Sequence, residues 1–139
     1  MALLQFKHLL PDERPLWQMF LNEHGKEYHR FEYDVHVGIL PAELQKLREP
    51  YRKGAEAVYL KRIDAVGFQT DNVTIFEVKP RGSMSGIGQI IAYMQLYDEK
   101  FDPRGDLRGA MICERVDETT QHLLQSHDID IYTYPVYIL

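Results

Sequence analysis

The spacing of apolar positions changes period several times along the chain, and each change marks an element. Leu16, Met19, Phe20 and Glu23 fall on one helical face. The stretch from Pro11 to Pro15 reads as the start of that helix, with Asp12 as its N-cap and acids in the first turn. Gly25 marks its stop. FEYDVHVGIL then alternates, with Phe31, Tyr33, Val35 and Val37 on one side and Glu32, Asp34 and His36 on the other, which predicts a half-exposed strand. Residues 41–56 are polar and interrupted by Pro41, Pro50 and Gly54, so a short helix inside a loop is expected. VYLKRIDAVGF and NVTIFEVK are β-branched runs on either side of Gln69-Thr70-Asp71-Asn72, a hairpin pattern. Ser83 or Ser85 caps a helix running to about Tyr97. A turn at residues 102–105, a strand from Leu107 to Cys113, a helix capped by Asp117 and a last strand over 129–138 complete the chain. Pro135 marks that last strand as a sheet edge. The order α-β-β-β-α-β-α-β predicts one α/β domain over residues 1–139, a mixed central sheet with helices on both faces.

Composition narrows the partners. A chain of 139 residues supports one core. A net charge of −5 excludes a global basic field for gripping nucleic acid. The charge is uneven: residues 48–81 carry a net +2, residues 1–47 a net −2 and residues 98–139 a net −5. The single cysteine, Cys113, excludes an intramolecular disulfide and reads as a buried thiol in the apolar run AMIC. No signal-like apolar core opens the chain and no stretch is long enough to span a bilayer. A soluble protein of a reducing, cytoplasmic compartment is expected, with no membrane partner and no small-molecule cofactor.

The locally basic third surrounds an unusual hairpin. With residues 69–72 as a four-residue loop, Phe68 faces Val73, Val66 faces Ile75 and Asp64 faces Glu77. A two-residue loop at 71–72 makes Asp64 face Lys79 instead. In either register Asp64, Glu77 and Lys79 share one face with Val66, Val73 and Ile75, because strand side chains repeat every second residue. Ala65, Thr74, Phe76 and Val78 occupy the opposite face. Facing carboxylates repel. Either Lys79 or a divalent cation offsets that repulsion, and hard oxygen ligands suit Mg²⁺ or Mn²⁺. On the following helix Gln89 and Tyr93 stack at i, i+4, and Gly86 and Gly88 leave its first turn bare for a phosphate.

Asp64, Glu77-Val78-Lys79 and Gln89-x-x-x-Tyr93 together resemble the PD-(D/E)xK nuclease superfamily, and the Gln-x-x-x-Tyr element resembles its RecB-type branch. The resemblance covers about residues 12–114 and implies the restriction-endonuclease-like αβββαβ core. The phrase RIDAVG…EVKP…GQ…Y also resembles small phage-encoded members. The resemblance implies that Asp64, Glu77 and the Val78 carbonyl bind Mg²⁺ or Mn²⁺, that Lys79 orients the water, and that Gln89 and Tyr93 contact metal-bound water or the DNA backbone. The family often adds an acid from the first helix, for which Glu23 fits best and Glu13 and Glu27 less well. The Pro-Asp of the family name is absent, since Ile63 precedes Asp64.

Arg62 and Arg81 lie two residues from Asp64 and Lys79 and are expected on the same face, in reach of DNA phosphates. Arg48, Arg52 and Lys53 either flank the DNA path or form a solvated loop. His24 and His29, and His122 and His127, are five apart and do not stack on a helix, which argues against zinc. Tyr132, Tyr134 and Tyr137 read as sheet packing or a subunit contact. The expected function is a metal-dependent DNA nuclease in DNA processing, repair, recombination or phage DNA handling, as a homodimer or within a larger assembly. The alternative is a virion-type assembly protein that reuses the fold.

Overall fold

The computed structural model describes residues 6–136. Five strands form one sheet in the order β1-β2-β3-β4-β5: Arg30–Val37, Lys61–Phe68, Asn72–Arg81, Asp106–Arg115 and Asp130–Thr133. The first three run antiparallel, whereas β3–β4 and β4–β5 are parallel. The helices α1 (Arg14–His24), α2 (Tyr51–Tyr59), α3 (Met84–Phe101) and α4 (Glu118–Ser126) complete the chain. The parallel pairs follow from helical crossovers, α3 joining β3 to β4 and α4 joining β4 to β5.

The sheet has apolar residues on both faces, so both are covered. On one side α1 buries Leu16, Trp17 and Phe20 against Ala65, Phe76, Val78, Ala110 and Ile112. Trp17 packs edge-on against Phe31, Tyr33 and Phe76. On the other side Ile87 and Ile90 of α3 and Leu124 of α4 meet Met111 and Cys113. Burial pushes the Cys113 thiol up to about 11, which keeps it inert. Among the described residues no helix is long and apolar enough to cross a membrane.

Two expected caps are present: the Ser83 hydroxyl accepts from Gly86 N–H, and the Asp117 carboxylate from Thr120 N–H. Asp12 is not a cap. A turn from Leu10 leads the chain into α1 already coiled, and Glu13 accepts the Leu10 N–H at 3.0 Å. The strand expected from Val58 starts at Lys61, because Tyr51, Ala55, Val58 and Tyr59 have helical spacing and belong to α2. The last strand ends at Thr133. Tyr134 N–H still reaches Cys113 carbonyl at 2.9 Å, but Pro135 has no N–H to continue the ladder. Tyr137 lies outside the described residues.

Candidate active site

The hairpin adopts the four-residue loop, with Phe68 opposite Val73, Val66 opposite Ile75 and Ala65 opposite Phe76. Beyond that pair the ladder stops. The next residues by register are Asp64 and Glu77, and the two strands are linked there by a side chain. Asp64 Oδ2 accepts the Val78 N–H at 2.9 Å. The Asp64 carbonyl is in turn taken by His8 Nε2 at 2.9 Å.

Glu77 is only 6% exposed, and its Oε1 lies 3.7 Å from Lys79 Nζ. Burial raises the Glu77 carboxyl far above the ordinary carboxylate range, the Asp64 charge raises it further, and Lys79 opposes both. Asp64 is raised for the same first reason, with Val78 N–H lowering it and the Glu13 charge raising it. The two carboxyls therefore form a desolvated, mutually repelling pair with one ammonium beside it. Burial also raises Tyr93, as do the charges of Glu77 and then Asp64. Gln89 Oε1 is buried and has no hydrogen-bond partner among the described residues. Gln89, Tyr93, Ser85, Gly88 and Lys61 line a shallow depression of about 440 Å³.

Among the described residues no group of three or more His, Cys, Asp or Glu is assembled as a metal cluster. The donor set nonetheless fits a hard divalent cation. The buried Glu77 and half-buried Asp64 have one ammonium between them, and the Gln89 amide oxygen has no partner among the described residues. Mg²⁺ characteristically takes one or two carboxylates and completes its shell with water and substrate phosphate.

Of the candidate acids, Glu13 stands at the N-cap of α1 and Glu23 near its other end. Glu13 is raised by burial and lowered by Lys79, and its charge acts on both Asp64 and Glu77. Glu23 sits ten residues on, about 15 Å along α1. There it bonds His24 Nε2 at 2.7 Å and Tyr134 hydroxyl at 3.3 Å. Glu23 shares the helix face of Leu16 and Phe20, whereas Glu13 stands at the helix start.

The basic residues divide. Arg62 is exposed and ion-paired: its Nε and an Nη meet Asp34 at 2.9 and 3.1 Å. Arg52 half-buries and donates to Gln45 carbonyl, while Arg48 and Lys53 are exposed. Arg81 continues the row Glu77, Lys79 along β3 and pairs in register with Arg115 of β4. Arg81 and Arg115 are exposed, and neither makes an ion pair with another described residue. Arg115 was not singled out from sequence, since only the β3–β4 register brings it beside Arg81.

Three solved structures share this fold. A repair endonuclease from Pyrococcus abyssi superposes with a TM-score of 0.53 at 16% identity, over 91% of this chain and 47% of that one. The EndoMS-dsDNA2 complex gives 0.53 at 13% identity, over 94% and 48%. EndoMS in apo form gives 0.53 at 13% identity, over 91% and 47%. The chain thus spans about half the length of these proteins and has an α/β fold that endonucleases also use. No family model and no curated relative matches the sequence.

Proposed function

We propose that the chain is a divalent-metal-dependent DNA nuclease of the PD-(D/E)xK type, close to the RecB-like branch and its small phage-encoded members. The carrying observation is the mutually repelling pair of half-buried Asp64 and buried Glu77 at the point where β2 and β3 part, with Lys79 beside it. Asp64, Glu77 and the Val78 carbonyl would hold Mg²⁺ or Mn²⁺. Once bound, that ion supplies Lewis acidity and a water of lowered pKa. Lys79 offers N–H donors and positive charge to the attacking water and to a phosphate oxygen. Gln89 Oε1, without a partner among the described residues, accepts from a water of the site, and Tyr93 donates to the phosphate backbone. Glu13 adds negative charge that strengthens cation binding.

Arg81 and Arg115 extend the same row toward the strand ends, about 13 Å from Glu77 at four strand residues, and contact neighbouring phosphates. Arg48 and Lys53 are further phosphate contacts on α2 and the turn before it. The net charge of −5 favours a second subunit or further partner that completes the DNA grip. A purely structural role leaves the repulsion between Asp64 and Glu77 without a purpose.

The test is cleavage of end-labelled single-stranded, duplex and branched DNA with Mg²⁺ or Mn²⁺. Cutting that disappears with EDTA and in Lys79→Ala is expected. Cutting that survives in Lys79→Ala, or that needs no metal, contradicts the assignment.

A further inference from the structure

Strands β1 and β2 break their own alternation at one shared point. Tyr33 and Ala65 pair and pack on the α1 side, yet Val35 and Ile63 pair and pack on the α3 side. A regular strand keeps residues two apart on one face. Both strands therefore turn over between these pairs. The sequence pattern placed Phe31, Tyr33, Val35 and Val37 on a single side, and the turnover divides them. The residues at the turnover are Asp34 and Asp64, opposite each other by register but not joined as a ladder pair. Asp34 has φ of 53°, a left-handed conformation that Asp tolerates better than most side chains.

Three contacts hold this distortion in place. The Arg62 guanidinium closes a two-pronged ion pair on Asp34, at 2.9 and 3.1 Å. The His8 ring, packed 5.4 Å from Tyr33, donates from Nε2 to the Asp64 carbonyl at 2.9 Å. A carbonyl only accepts, so that nitrogen carries the proton. The freed Asp64 side chain then takes the Val78 N–H on β3.

We propose that Asp34, Arg62 and His8 are positioning residues that turn Asp64 out of its strand's alternation and hold its carboxylate beside Glu77. Asp34 sets the backbone reversal, Arg62 locks Asp34, and His8 satisfies the carbonyl that the reversal strips of a ladder partner. An Asp64 on a regularly alternating strand would stand off the sheet instead of lying against β3. The inference rests on reading Asp64 as a metal ligand.

The experiment titrates Mn²⁺ into the full chain without DNA by calorimetry, with circular dichroism as the folding check. His8→Ala and Asp34→Val are expected to weaken Mn²⁺ binding about tenfold or more, as losses of groups that orient a ligand do. His8→Gln keeps a donor and is expected to stay close to wild type, whereas Asp34→Gly accepts positive φ but loses the Arg62 ion pair and is expected to fall between wild type and Asp34→Val. Folded His8→Ala and Asp34→Val that bind Mn²⁺ like wild type overturn the brace and leave the metal reading standing. Wild type that binds no Mn²⁺, or Asp64→Asn that binds it equally, overturns both. If Asp34→Val does not fold, the contrast between His8→Ala and His8→Gln decides alone.

Discussion

Glu77→Gln is predicted to stabilise the metal-free protein at alkaline pH. Glu77 is buried, faces Asp64 by register, and has a single compensating charge 3.7 Å away on Lys79. Its carboxyl is raised by burial and then by Asp64. A group whose folded pKa lies above its unfolded value stabilises fully below the unfolded value, and that contribution is lost as pH rises through the folded one. The wild type in EDTA should therefore lose stability between about pH 5 and pH 8. A carboxyl held up into the neutral range carries roughly 2–4 kcal/mol of ionisation cost at pH 8. The amide removes most of it and also relieves Asp64. About 2 kcal/mol is then expected in favour of Glu77→Gln, or roughly 6–10 °C in Tm for a chain of this size. The assay is thermal unfolding by circular dichroism from pH 5 to pH 9, in EDTA and in excess Mn²⁺. At pH 5 the two proteins should converge. In Mn²⁺ at a hundred times its Kd, the wild type alone should gain about 2.7 kcal/mol. A variant less stable than wild type at pH 8 in EDTA, or a Tm difference that does not change with pH, refutes the reasoning.

Other outcomes follow from the same geometry. Lys79→Ala should lower cleavage by about a hundredfold or more in a protein that still folds, checked by single-turnover rates beside circular dichroism, and should steepen the loss of stability with pH because Glu77 loses its compensating charge. Arg81→Ala with Arg115→Ala should reduce the salt slope of duplex binding by about two, with catalysis at saturation little changed. The charge-matched pair Arg104→Ala with Arg108→Ala should leave that slope close to wild type, and equal effects from the two pairs would show a general charge effect only. Gly67→Ala should destabilise by about 1–3 kcal/mol in urea unfolding, because a Cβ there meets the rings of Tyr28, Phe76 and Phe31 at 2.8–3.0 Å.

Periodicity and turn chemistry carried most of the fold. The run of β-branched residues around Gln69–Asn72 implied the hairpin, and its four-residue register is one of the two that the pattern allowed. Ser83 and Asp117 were legible as caps because each precedes an apolar helical repeat. A period of two put Asp64, Glu77 and Lys79 at one end of the hairpin, but not the turn of Asp64 onto the Val78 N–H. What periodicity missed is local and non-periodic. One backbone reversal at Asp34 divided a strand face that alternation treats as continuous. It also gave Arg62 a carboxylate partner. His8 precedes every recognisable element, and nothing in its neighbours pointed to a contact 56 residues away. Glu13 and Glu23 stand at opposite ends of α1, and helix orientation is set by packing against the sheet, which no local pattern encodes. The β-branched and aromatic residues Val58 and Tyr59 read as strand but extend α2, a case of spacing overriding propensity.

The most direct test of the central claim is single-turnover hydrolysis of end-labelled DNA by wild type, Asp64→Asn and Glu77→Gln across a Mg²⁺ and Mn²⁺ titration. Hydrolysis by wild type that saturates with metal and is abolished in both folded variants is the predicted result. Hydrolysis that persists in either variant, or that wild type carries out in EDTA, would contradict a nuclease built on this pair.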